Sequence, residues 1–260
     1  MSYLKSAIIA LIFILMFVSS VSADSINAKV VSNTYIQKST ANSTWATLHD
    51  ATTGNNAYTS LQYMRITSDN QTDRFYDITR WGACYDTTSI PSTGNVTKVS
   101  LWWRSSAKAN GLGAIPANVT TFSPASVLAV NAVANYNKFG TTSLAGINYA
   151  DVSTSTYNVQ SISDLTIVNK TGHTCLGIRL QSDLNNTAPP WIIGRVVSSY
   201  RPQVMSSDIY ATFLEVDYDT SSPSSSGGTA YLVEQTPLNS AIPLMAVAAV
   251  MMLYMIRRKP

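Results

Sequence analysis

Two histidines, two cysteines, a few clustered carboxylates and five tryptophans are the residues of this 260-residue chain whose types could do chemistry. His49 is followed at once by Asp50, a pair able to pass a proton, but no nucleophile motif accompanies it and a solvated loop is the simpler reading. Glu215 and Asp217 alternate along an expected strand, so both side chains point the same way. A glycosidase instead needs two carboxylates facing each other across a cleft, and these two read as the solvent face of the last strand. Asp69-Asn70-Gln71-Thr72-Asp73 offers hard oxygen ligands of the kind Ca²⁺ takes, without the glycine and spacing of a defined loop. No cofactor and no metal are therefore expected. The chain contains no G-x-S-x-G, no H-E-x-x-H and no Walker loop. It is read as a non-enzyme, with a polysaccharide-acting enzyme as the last of three readings.

Cys84 and Cys175 each fall in the middle of an expected strand. In an oxidising compartment an even pair with no third partner points to one disulfide, two buried free thiols being the alternative. The two cysteines and His173 do not make a four-ligand zinc set at a known spacing. Six N-x-Ser/Thr sequons, at Asn42, Asn70, Asn95, Asn118, Asn169 and Asn185, are candidates for glycosylation if the chain is exported. The tryptophans are the candidates for binding. Trp102 and Trp103 are neighbours on an expected strand, so one faces the core and the other outward. An outward indole can stack on the apolar C–H face of a sugar ring; two core tryptophans shared between packed layers are the competing reading. Trp191, following Pro189-Pro190, is the second choice for a ligand contact.

The ends of the chain say where such groups would be displayed. Lys5, then an unbroken apolar run from Ala7 to Val18, then Val21-Ser22-Ala23, has the order of a secretory signal peptide, with cleavage expected after Ala23. Leu238 to Ile256 is a 19-residue stretch free of charge and followed at once by Arg257, Arg258 and Lys259. That length just crosses a bilayer as a helix, and the basic residues place the C-terminus in the cytoplasm. The expected organisation is a signal peptide over 1–23, an ectodomain over 24–219, a flexible Ser/Gly/Pro stalk over 220–237, a transmembrane helix over 238–256 and a basic tail over 257–260. The chain has 17 basic and 14 acidic residues. Without Lys5, Arg257, Arg258 and Lys259 the counts become 13 and 14, so the basic excess belongs to the ends and gives no footprint for nucleic acid.

The ectodomain is rich in Ser, Thr, Asn, Tyr and Val, which favours strands and turns. Strands are expected over 29–38, 61–67, 75–85, 96–104, 119–122, 174–180, 191–197 and 209–218, with a turn at 90–95. Residues 126–135 suit either a short helix or a strand. Many short strands with turn chemistry between them give the fold class: all-β, an antiparallel, jelly-roll-like β-sandwich, followed by one C-terminal membrane helix.

Arg80-Trp81-Gly82-Ala83-Cys84-Tyr85-Asp86-Thr87-Thr88-Ser89-Ile90-Pro91, then Asn95-Val96-Thr97-Lys98-Val99-Ser100-Leu101-Trp102, resembles the strand–turn–strand pattern of secreted jelly-roll modules of the DNRLRE or carbohydrate-binding-module-like kind. The closing Phe213-Leu214-Glu215-Val216-Asp217-Tyr218 is similar to their terminal strand. The resemblance covers about 35 of the 196 residues of 24–219, departs at Lys98 and Ser100, and has no counterpart for 107–158. It implies a fold and no particular binding residue. The tail also resembles a surface-protein sorting signal, with Thr236-Pro237-Leu238 where its short motif would stand. The expected function is a membrane-anchored cell-surface binding or adhesion protein, with a surface glycan or protein as partner. The first alternative is a structural envelope or virion surface component.

Overall fold

The computed structural model describes residues 23–60, 62–203 and 212–220. The expected signal peptide up to residue 22, and the stalk, membrane helix and basic tail beyond residue 220, lie outside the described residues. Among the described residues no helix is long and apolar enough to cross a membrane.

Eleven strands make up the described region: β1 (Ala23–Ser43), β2 (Asn56–Tyr58), β3 (Met64–Ser68), β4 (Phe75–Asp86), β5 (Asn95–Asn110), β6 (Ala117–Thr121), β7 (Ala145–Ile147), β8 (Tyr157–Ile162), β9 (His173–Leu180), β10 (Val197–Gln203) and β11 (Phe213–Asp219). Helix is limited to α1 (Trp45–His49), α2 (Gln181–Leu184) and three short 3-10 turns, at Val127–Ala129, Val133–Lys138 and Leu165–Ile167. The fold is all-β, and every strand pair is antiparallel.

The hydrogen bonding is continuous. β1 pairs with β11 over Ala23–Lys29, then changes partner and pairs with β4 from Val30 to Ser43, across a bulge between Val30 and Ser32. β5 does the same, with β11 through Trp102 and with β10 from Arg104 onward. These two long strands carry the ladder from one layer to the other, and the circuit β1–β11–β5–β10–β3–β4 closes on β1. β2 adds to β1, β8 to β5, and β9, β6 and β7 extend from β4. A bulge is the usual device by which a strand bends between layers.

The interior of the circuit is one apolar core in which Tyr35, Trp81, Tyr85, Leu101, Trp103, Tyr200, Leu214 and Val216 are buried. β4 is buried on both faces, its polar members Asp77, Thr79 and Arg80 included. Trp81, Ala83 and Tyr85 point into this core, while Arg80, Gly82 and Cys84 point the other way. That second face is covered by the segment running from Phe122 to Phe139, which builds a smaller cluster of Ile36, Cys84, Phe122, Val130, Tyr136 and Phe139. Gly82 of β4 stands opposite Gly177 of β9. A Cβ on Gly82 would come within 2.7 Å of the Phe122 ring, and one on Gly177 would strike Phe139. The two glycines thus form a saddle on which the stacked Phe122 and Phe139 rings lie, 4.5 Å apart between centroids. One register step along the same face, Cys84 stands opposite Cys175, and the two form the expected disulfide across the β4–β9 pair, with Cα atoms 4.0 Å apart.

Several expectations change. Residues 191–197 were expected as a strand, but β10 begins only at Val197. Gly194 has φ +96, a left-handed conformation that interrupts any extended run, and Ile192 and Ile193 sit on the surface. Residues 126–135 form 3-10 turns rather than a helix or strand. β2, β7 and β8 were not anticipated.

Candidate functional site

β5, β8 and β11 lie side by side, and their register sets which side chains meet. Trp102 of β5 is opposite Phe213 on one side and Val159 on the other; Arg104 is opposite Tyr157. Alternation sends Trp103 inward, where it is 1% exposed, and leaves Trp102 on the outer face, half-buried. Phe213 stacks on Trp102 with centroids 5.4 Å apart and planes 13° from parallel. Tyr157 meets Trp102 edge-on at 6.0 Å and Phe213 at 5.7 Å. The three rings make an aromatic strip across three strands. Trp102 Nε1 donates to Glu215 Oε2 at 3.1 Å, which fixes the plane of the indole.

Below the strip, Lys98 Nζ donates to the same Glu215 oxygen at 3.1 Å and lies 3.6 Å from Asp217. Its ammonium is held above the ordinary lysine range, chiefly by the hydrogen bond to Glu215; desolvation opposes this, and the charges of Glu215 and Asp217 add to it. Glu215 and Asp217 share one cation on one strand face and do not oppose each other across a cleft. This geometry can stack and hydrogen-bond a ring; it has no second carboxylate placed for acid–base hydrolysis.

Trp191 is half-buried in the loop before β10, and its indole N–H donates to the backbone carbonyl of Asp69 at 3.2 Å. It clamps one loop to another. Trp103 leaves the set of ligand contacts because its ring is inside the core.

His49 and Asp50 do not sit on a solvated loop as a free pair. The His49 side chain is mostly buried, with Nδ1 at 2.5 Å from Asp50 Oδ1 and Nε2 at 2.8 Å from the Asp183 carbonyl. It belongs to a buried ionic cluster that sequence reasoning missed. Arg80 of β4 binds the Asp183 carboxylate in a two-pronged arrangement, Nε at 2.9 Å and Nη2 at 2.7 Å. Arg179 of β9 donates to the same carboxylate through Nε at 2.8 Å. The remaining guanidinium hydrogens serve backbone carbonyls of Tyr136, His49, Gly140 and Asp183. The Arg80 guanidinium also lies 4.0 Å over the Tyr136 ring. Burial alone would raise the Asp183 carboxyl, but the charges of Arg80 and Arg179 and their hydrogen bonds outweigh it and hold the group far below the usual range. With its donors and acceptors engaged inside the protein, the cluster is a structural node joining α1, β4, the covering segment and α2.

Asp69 is buried, and its carboxylate accepts the backbone N–H groups of Asn42 at 2.6 Å and Asn70 at 2.9 Å. The 69–73 segment considered for Ca²⁺ is therefore a hydrogen-bonded turn. Among the described residues no group of three or more His, Cys, Asp or Glu is arranged to hold a metal ion.

The sequons separate by exposure. Asn42, Asn70, Asn95, Asn169 and Asn185 are exposed. Asn118 is 4% exposed on β6, its amide donating to Gln181 at 2.5 Å and its carbonyl accepting from Ser143 at 2.8 Å. A glycan on Asn118 would break both bonds and displace β6 from its neighbours, so this candidate is withdrawn for the folded protein. Expression in a glycosylating host followed by glycopeptide mass spectrometry should find sugar among the other five and none at Asn118; an occupied Asn118 in folded material would contradict the buried side chain.

No family model matches the chain, and no curated protein matches it either.

Proposed function

We propose that the chain is a membrane-anchored cell-surface binding protein whose ectodomain holds glycans against the aromatic strip centred on Trp102. The reading rests on one observation: a strand that buries Trp103 turns Trp102 outward onto a flat face flanked by Phe213, Tyr157 and hydrogen-bonding Glu215. Proteins normally bury aromatic area of this size, and an outward aromatic strip rimmed by polar groups marks an interaction surface. A sugar presents an apolar C–H face to the rings and hydroxyls to the rim. In this reading the ectodomain is a jelly-roll module of the DNRLRE or carbohydrate-binding-module-like kind. The signal peptide exports it, 238–256 anchors it and 257–260 is cytoplasmic.

The test is Trp102→Ala in the cell-displayed protein, read on a glycan array. Glycan binding should fall about tenfold or more, with the strand content retained because Trp103 and the core beneath are untouched. Binding that persists at full strength would defeat the stacking reading. The structural envelope or virion component would then be preferred, a reading that the five exposed sequons favour because a coat protein is shielded by its own sugar. Deleting 238–260 should release the protein to the medium; retention on the cell would defeat the anchor.

A further inference from the structure

One of the exposed sequons opens onto a groove, away from the aromatic strip. The groove is open, encloses about 460 Å³, and runs between residues 121–127 and 167–175. Small-ligand sites run from roughly 300 to 1,000 Å³. Its reachable apolar walls are Pro124, Val127 and Ile167, each partly exposed, and Ser123 and Ser126 stand exposed beside them. Among the described lining residues His173 is the one ionisable side chain. A surface that mixes apolar patches with hydroxyls and carries no carboxylate or guanidinium suits a neutral pyranose, which has C–H faces and hydroxyl edges.

Asn169 lines this groove and begins the sequon Asn169-Lys170-Thr171. Its Oδ1 accepts the backbone N–H and the hydroxyl of Thr171, both at 3.1 Å. The amide is thereby oriented through its oxygen, and Nδ2, the atom that carries an N-linked sugar, has no hydrogen bond among the described residues. Gly172 keeps that atom clear, since a Cβ there would come within 2.8 Å of it. The loop is fixed from beneath. The buried Thr87 hydroxyl faces the carbonyls of Asn169 at 2.7 Å and Gly172 at 3.0 Å, and Thr174 Oγ1 accepts the Asn169 N–H at 3.0 Å. Lys170 Nζ donates to the carbonyls of Ser92 and Gly94, both at 2.8 Å. A fixed attachment point spares much of the ordering cost when the attached group packs down. Asn185 also lines a groove, but that one opens on the charged Asp50, Arg80 and Arg179.

Apolar surface continues past the groove. Val127 and His173 also line a neighbouring hollow, together with Val31 and Leu128. Leu128 is 99% exposed and Val31 46%. Apolar side chains grouped on a surface mark a place where something else packs. A sugar tethered at Asn169 is held at high local concentration there, without a separate binding partner.

We propose that a neutral N-linked glycan on Asn169 is a structural part of the domain. Its first sugars lie in the groove against Val127 and Ile167, bond to the hydroxyls of Ser123 and Ser126, and lead over Leu128. The proposal rests on the export reading, because the sugar comes from a lipid-phosphate-linked oligosaccharide on the exported side. In that transfer Nδ2 loses a proton and bonds to the anomeric carbon of the sugar, and the lipid phosphate leaves. The test uses the full chain from a glycosylating host and from a host without that machinery. Three proteins are compared: wild type, Thr171→Ala, which removes this sequon, and Thr97→Ala, which removes the exposed one at Asn95. Glycopeptide mass spectrometry reads occupancy. From the glycosylating host, Thr171→Ala should melt about 2–4 °C lower than wild type. Its amides over 123–129 should exchange hydrogen about threefold faster or more. Thr97→Ala should match wild type in both measurements. From the other host all three proteins should behave alike. A deficit of Thr171→Ala in both hosts would trace to the lost hydroxyl and overturn the proposal. So would an occupied Asn169 whose removal changes no more than that of Asn95, or sugar at other sequons with none at Asn169. Sugar at no sequon would instead defeat the export reading, and the proposal with it.

Discussion

Asp183→Asn is expected to destabilise the domain by about 3–5 kcal/mol, the typical cost of stranding buried charge by removing one partner. The substitution keeps the shape of the side chain and removes the anion between Arg80 and Arg179, both of which are nearly fully buried. Two guanidiniums would then face each other in a desolvated site. For a domain of this size the melting temperature should fall by about 10 °C. Replacing the whole triad with apolar residues is not expected to restore the loss, as it can in simpler ion clusters, because the guanidiniums also serve the carbonyls of His49, Tyr136 and Gly140. The same node sets an acid limit. The Asp183 carboxyl is depressed in the folded protein, so its contribution is fully present above the unfolded-state value near pH ~3.9. It is lost as pH falls below that value and through the lower folded one. Wild type should lose stability steeply below about pH 4, and the Asp183→Asn protein should show a shallower acid slope from a lower starting point. Chemical denaturation at a series of pH values measures both; parallel slopes would show that Asp183 does not carry the acid sensitivity.

The second large effect is on the disulfide. Cys84 and Cys175 are 91 residues apart, and in the chain-entropy model closing such a loop removes about 4–5 kcal/mol of unfolded-state freedom. The Cys84→Ala/Cys175→Ala double variant should therefore lose up to that amount in a denaturant titration while keeping its strand content. β4 and β9 remain paired at Trp81, Gly82, Ala83, Tyr85 and Asp86 without the bond. A double variant as stable as wild type would mean the unfolded chain is already held compact by other contacts. Collapse of the strand signal would mean that the bond aligns the two strands in the native state as well.

The strands that sequence reasoning found are those whose buried face is written in large apolar residues at period two. β4 and β9 are of this kind, and β5 is found with Trp102 and Trp103 correctly split between the two sides. β8 was missed because its pattern is inverted. Asn158 is buried, tied to Ser153 at 2.7 Å and 3.0 Å, while Val159 is exposed. An inward asparagine and an outward valine look like a loop until β5 is placed beside them. The disulfide was legible because the chain has only two cysteines, each in the middle of an expected strand. The ionic node was not, since Arg80 and Asp183 are 103 residues apart and neither has a local motif. Asn118 shows the converse limit, because a sequon is a three-residue pattern and its burial depends on Gln181 and Ser143.

β11 is the last described strand before the chain leaves the domain, and it is not an edge strand. From Phe213 to Asp219 it is paired with β1 on one side and β5 on the other. A pull on the C-terminal end acts along the axis of this strand, while its hydrogen bonds run across that axis. The bonds on both sides must then yield together, in shear, where an edge strand pulled sideways would unzip them one at a time. Extraction of β11 would also drag Leu214, Val216 and Tyr218 out of the core. The domain is thus built to stay folded under tension applied through its C-terminus, with a rupture force set by the barrier to unfolding rather than by equilibrium stability.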